Sequence, residues 1–172
     1  MHKKVAIIGS VGSGKTTIIK NLSSGETLNT DVESSVDIGK QMTTVGIDYG
    51  HVQVDKNMSL GLYGVPGQRK FSIVWEFVKD GIWAIVVLVR NNDSSSIQEL
   101  NYLIDFFEIK QSVPCVIGVT HVDEGTGQST MKRIKEILRL KELNLPVYTI
   151  DARSKSSAEL IMRTLIAIDE SN

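Results

Sequence analysis

The stretch GSVGSGKT, Gly9 to Thr16, stands between the apolar run KVAIIG and the amphipathic segment KTTIIKNL. The spacing G-x-x-x-x-G-K-[ST], with a strand before it and a helix after it, leaves the backbone little choice. It must turn sharply so that successive N–H groups converge on one anion at the helix N-terminus. Gly12 and Gly14 permit the curl, and the partial positive charge of the helix end adds to it. A glycine-rich turn with a chance lysine would not need both flanking elements. Gly12, Ser13, Gly14, Lys15, Thr16 and Thr17 are therefore candidates to hold phosphates. Lys15 is placed to reach the terminal phosphates and the Thr16 hydroxyl to ligate Mg²⁺.

Apolar runs bounded by turn residues alternate with helix-period segments along the rest of the chain. The pattern predicts strands at about 3–9, 45–54, 58–63, 82–89, 114–120 and 146–149, and helices at about 14–23, 68–79, 95–109, 127–142 and 154–168. AIVVLV and CVIGV are continuously apolar, as strands buried on both faces are. Only DKN at 55–57 joins the second and third strands, a link too short for a parallel crossover. The expected fold is α/β, a six-stranded, mostly parallel sheet with one antiparallel edge strand and helices on both faces, in one domain over residues 1–172. Residues 24–43 are polar and predict a long loop, functional or mobile.

A formal net charge of -1 gives no field favouring nucleic acid or an anionic membrane, so bound phosphate must be held locally. Cys115 has no partner within the chain and sits in an apolar run, where a buried structural thiol is expected. No apolar run approaches the roughly 18 residues of a membrane span, and no signal peptide or lipidation motif is read at either end. The expectation is a cytoplasmic chain with neither a nucleic-acid partner nor a direct membrane anchor. His2 and His51 lack metal-ligand company.

The phosphate loop is followed in order by TTVGIDYG, YGVPGQRKF, GVTHVD and DAR. With the loop, this order resembles the Ras-type small GTPases over nearly the whole chain, and the expected fold becomes a Ras-like P-loop G domain. TVGIDY is similar to the first-switch signature of the Rab branch. VPGQ resembles the second switch of prokaryotic members, including the bacterial gliding-motility GTPase family. The wider pattern resembles predicted bacterial and archaeal GTPases associated with roadblock-type partner proteins.

The resemblance implies GTP and GDP as ligands with Mg²⁺, and a molecular switch that hydrolyses GTP slowly and signals through a partner. A regulatory or effector protein at the switch regions, of roadblock type among others, and a GAP or exchange factor are the implied partners. Thr44 would close over the terminal phosphate, its hydroxyl on Mg²⁺ and its N–H on that phosphate. Gly67 would give a second N–H, and Gln68 would position the attacking water, so that Gln68, Lys15 and Thr44 form the implied catalytic set. Thr120, His121 and Asp123 correspond to the base-reading motif, with the Asp123 carboxylate accepting from the ring N–H and amine of guanine, a donor pair that adenine lacks. His121 stands where the family has a lysine whose ammonium reaches the phosphate loop. Ala152 would offer its N–H to the guanine oxygen, and Arg153 either stacks on the base or is a plain surface arginine. A helix N-cap or turn role is the other reading of Asp123.

Gly64 occupies the place of an acid that in Ras-like relatives holds Mg²⁺ through a metal-bound water. The metal is then expected to rest lightly on Thr16, Thr44, phosphates and waters. For Asp48 two orientations are open, toward the metal site or toward solvent. Two other functions compete: a nucleotide-binding module that scarcely hydrolyses GTP, favoured by Val11 beside the terminal phosphate and by Gly64, and a small ATP-dependent kinase. The second lacks a lid-like arginine cluster, and Arg69 is the in-chain candidate for an arginine acting at the phosphate. Phe71 and Trp75, four apart, share a helix face that belongs either to the core or to a partner-docking surface.

Overall fold

The computed structural model describes residues 1–23, the backbone of 29–30, and residues 46–68 and 72–171. Thr44, Arg69, Phe71 and most of the long polar loop expected at 24–43 lie outside the described residues. The elements run β1 (His2–Gly9), α1 (Lys15–Leu22), β2 (Asn29–Thr30), β3 (Ile47–Gln53), β4 (Ser59–Gly64), α2 (Ser72–Lys79), β5 (Ile82–Arg90), α3 (Ser94–Phe106), β6 (Cys115–Thr120), α4 (Gln128–Leu140), β7 (Val147–Thr149) and α5 (Lys155–Ser171).

The strands form one sheet in the order β2-β3-β4-β1-β5-β6-β7. β1 pairs in parallel with β4 and β5, and β6 pairs in parallel with β5 and β7. The six expected strands are present, with β3 antiparallel to β4 as the short DKN link requires. In that turn the Asp55 carboxylate accepts from the N–H groups of Asn57 and Met58, at 2.6 and 2.9 Å. The two-residue β2 adds a further antiparallel pairing outside β3. It was not legible as a strand, because two residues carry no period.

Alternation along the inner strands separates two cores. Ala6 and Ile8 of β1, with Ile85, Val87 and Val89 of β5, pack on one face against α2, α3 and α4. Val5 and Ile7, with Ala84, Val86 and Leu88, pack on the other against α1 and α5. A continuous apolar run is the form a strand must take when successive side chains enter different cores. The carboxyl ends of β1, β5 and β6, at Gly9, Arg90 and Thr120, then lie in one row, where open α/β sheets bind ligands.

Cys115 is fully buried, and burial pushes its thiol up to about 12, so it is a structural group. Trp75 is also core, only 1% exposed, and the docking reading of its face does not hold for it. It packs with Tyr102, Phe106 and Phe107 at ring separations of 5.9, 5.1 and 6.2 Å, and its Nε1–H donates to the Pro66 carbonyl at 2.6 Å. The indole thereby ties the segment after β4 to the core. Trp75→Ala should cost about 3–5 kcal/mol, read as a lowered urea midpoint; a loss below about 1 kcal/mol, the scale of one hydrogen bond alone, would mean that the indole does not anchor this segment.

Candidate functional site

The turn from β1 into α1 places its groups as the motif requires. Gly14 is the N-cap of α1 at φ 102, a left-handed conformation open to glycine. A Cβ there would also lie 2.8 Å from the Ala152 methyl, so the glycine lets the loop after β7 close on the phosphate loop. Ser13 is wholly buried, which leaves its backbone as the part that can serve a ligand, and its carbonyl accepts from the Thr120 hydroxyl at 2.9 Å. Asn21 of α1 donates to the Ala152 carbonyl at 2.7 Å, fixing the same closure from below. Ser10 meets Ser96 of α3 hydroxyl to hydroxyl at 2.9 Å, and Ser96 in turn accepts from the Arg90 N–H at 2.9 Å.

These contacts shape a cleft of about 1000 Å³. It brings together Gly12, Gly14, Lys15, Thr16 and Thr17 from the phosphate loop, Thr120, His121 and Asp123 after β6, and Ala152 and Arg153 after β7. Residues distant in sequence thus line one cavity. Gly67 and Gln68 are not in that lining. Gly67 lies against the phosphate loop itself, where any Cβ would collide with the Gly9 carbonyl and come within 3.0 Å of Ser10 Cα. Gln68 is exposed beside it.

Lys15 is half-buried, and its ammonium donates to the carbonyls of Gly9 and Ser10, both at 2.8 Å. Burial pulls its pKa from 10.5 down to about 8, opposed by the nearby carboxylates of Glu99 and Asp48. The Thr16 hydroxyl donates to Asp48 Oδ2. Hydroxyl and carboxylate are the hard oxygens that Mg²⁺ takes. Among the described residues no three His, Cys, Asp or Glu side chains gather, so the protein offers a partial ligand set that phosphate oxygens would complete.

In the loop after β6, the Asp123 carbonyl accepts from the Thr126 N–H and hydroxyl, at 2.9 and 2.8 Å. The N-cap of α4 is Gly127, so Asp123 does not cap that helix, and its carboxylate has no partner among the described residues. His121 adopts φ 58 and its Nδ1 lies 3.0 Å from Thr120 Oγ1. That hydroxyl spends its proton on Ser13, so the imidazole must be the donor. The relay His121 to Thr120 to Ser13 links the loop after β6 to the phosphate loop, a span that an imidazole alone does not cover. Arg153 forks onto Asp151, with Nε and Nη2 each 3.0 Å from a carboxylate oxygen. This pairing holds Asp151 below the usual carboxylate range and turns the guanidinium to its own loop.

Arg90 was not singled out in the sequence, where the arginines form no lid-like cluster. Its guanidinium lies 3.4 Å from the position of a Cβ at Gly12, beside the phosphate loop. Only strand order brings the end of β5 there, so no local signal marked it.

A phosphate loop after the first parallel strand, with two further loops closing on the same cleft from β6 and β7, defines a G domain of the Ras-like small GTPase class. Residues 1–169 match the ADP-ribosylation factor family, and the chain belongs to that family of GTP-binding switch proteins with GTPase activity. An uncharacterized protein from Methanocaldococcus jannaschii is 29% identical over 123 residues, 71% of each chain. The Arl6 BBS3 small GTPase from Trypanosoma brucei, solved with the nucleotide analogue GppNp, shares the fold at a TM-score of 0.71 over 99% of both chains, with 16% sequence identity. No helix among the described residues is long and apolar enough to cross a membrane.

At a pH about one unit above 8, the pKa of Lys15, most of this side chain is neutral in the nucleotide-free protein. Bound phosphates favour its charged form, so GDP binding there should take up close to one proton. Around pH 6 the lysine is already charged and contributes no uptake. Calorimetry in buffers of different ionisation heat reads this, and buffer-independent heats at the higher pH would mean that Lys15 was charged beforehand.

Proposed function

We propose that the chain is a Mg²⁺-dependent molecular switch of the prokaryotic type, which hydrolyses GTP slowly and passes its nucleotide state to a protein partner from a cytoplasmic location. The observation that carries the reading is the single cleft in which the phosphate loop and the loops after β6 and β7 meet. In this reading Lys15 neutralises the terminal phosphates, Thr16 and Thr44 hold Mg²⁺, and the ion supplies charge stabilisation at the phosphates. Asp123 accepts from the two guanine donors, Ala152 gives its N–H to the guanine oxygen, and His121 and Arg153 cover the rim. The carboxylate of Asp123, without a partner among the described residues, supports its part.

Gly67 lies against the phosphate loop, which supports its N–H as a donor to the terminal phosphate, and exposed Gln68 follows it as the residue that would orient water. Slow turnover fits Val11, which is 61% exposed at the loop's crest. A branched side chain there crowds any group that approaches the phosphate from outside. The same crowding favours a second reading, a nucleotide-binding module with little hydrolysis. The partner, of roadblock type or another regulator such as a GAP or exchange factor, would touch the segments on either side of β3 and β4.

Single-turnover hydrolysis of GTP by wild type and Gln68→Ala, with and without a candidate partner, separates the two readings. The switch reading expects the variant to be slower by at least about tenfold. Equal rates under both conditions would leave the binding module. Asp123→Ala should weaken GDP on the order of 10²-fold and ADP hardly at all, read as competition with a fluorescent nucleotide; an unchanged GDP to ADP ratio would remove Asp123 from base recognition.

A further inference from the structure

The place of the missing acid is filled from the neighbouring strand. In the antiparallel register Asp48 of β3 pairs with Gly64 of β4. Directly opposed residues project their side chains to the same face of a sheet. Here it is the face of α1, since Leu60 and Leu62 of β4 and Val52 of β3, all of even number, pack with Ile18 and Ile19. A Cβ at position 64 would lie 3.0 Å from Asp48 Cβ, 3.4 Å from Asp48 Oδ2 and 2.7 Å from Ile19 Cδ1. The space that an acid at 64 would use is thus held by the Asp48 side chain. Its Oδ2 accepts from the hydroxyl of Thr16, the residue the motif assigns to Mg²⁺.

We propose that Asp48 is the carboxylate of the Mg²⁺ site, transferred across the strand pair from position 64, and that Gly64 is the complement that makes room for it. This rests on the reading of the cleft as a Mg²⁺-guanine nucleotide site. It replaces the expectation of a lightly held metal: the site keeps one acid, on a different strand. The carboxylate orients the Thr16 hydroxyl and adds a negative charge next to the cation. It also lies close enough to Lys15 to favour that side chain's charged form. Gly64→Asp in the wild-type background would set two carboxylates against each other and against Ile19, and would weaken the site rather than strengthen it.

The test is the Mg²⁺ concentration that half-suppresses release of a fluorescent GDP, measured alongside release in excess chelator. Asp48→Asn should raise the Mg²⁺ midpoint by about 10-fold or more, over and above any change it makes to release in chelator. Gly64→Asp alone should also raise it, and the exchange variant Asp48→Gly/Gly64→Asp, a double variant that leaves no Cβ at 48, should return it toward wild type. An Asp48→Asn midpoint within about twofold of wild type, well short of the loss usual for such partners, overturns the inference. If Asp48→Asn fails to fold, the double variant decides alone: a midpoint near wild type supports the transfer, and one raised as far as about tenfold overturns it. Wild-type protein that retains no GDP would instead sink the nucleotide reading itself.

Discussion

The site depends first on the burial of β1, β5 and β6 on both faces. A strand whose alternate residues enter two different cores cannot slip by one position without exchanging the two sets. Fully burying an isoleucine, valine or leucine is worth about 1.5–3 kcal/mol, against about 1 kcal/mol for a hydrogen bond. Packing therefore sets where Gly9, Arg90 and Thr120 stand, and hydrogen bonds set how their loops are turned. The bond from the Thr120 hydroxyl to the Ser13 carbonyl is of the second kind. It joins two loops that the sheet has already brought side by side.

Electrostatics in this molecule are local. With a net charge of -1, attraction for polyphosphate must come from the end of α1, the loop's N–H groups and Lys15. Burial makes the lysine costly to keep charged, and the carboxylates of Glu99 and Asp48 oppose that cost. Asp48 is thus coupled to two residues of the phosphate-loop motif, Lys15 through space and Thr16 by a hydrogen bond. Shape and charge converge there, because the glycine opposite leaves the carboxylate its room.

Where sequence reasoning fell short, the missing quantity was a neighbour. Helical period placed Phe71 and Trp75 on one face but carried no information about what covers it; α3 supplies Phe106 and Tyr102, and the Trp75 indole turned out to be core. His121 read as a departure from the family's lysine. The relay through Thr120 to Ser13 needs the loops after β1 and β6 in contact, which no spacing along the chain encodes. In the same way the fork of Arg153 onto Asp151 is a contact that the spacing along the chain does not show.

The sequence by itself determined the phosphate loop, the alternation of strands and helices, the hairpin and the ordered motifs that mark the class. The first three are consequences of local backbone chemistry or of periods of 2 and 3.6 residues, and the motifs mark the class by resemblance. Tertiary structure decided which residues from separate motifs share the cleft and that Asp48 stands opposite Gly64. Register between strands is fixed by packing and by the turn that joins them, so the contact between an acid and a glycine sixteen positions apart exists only once the sheet is built.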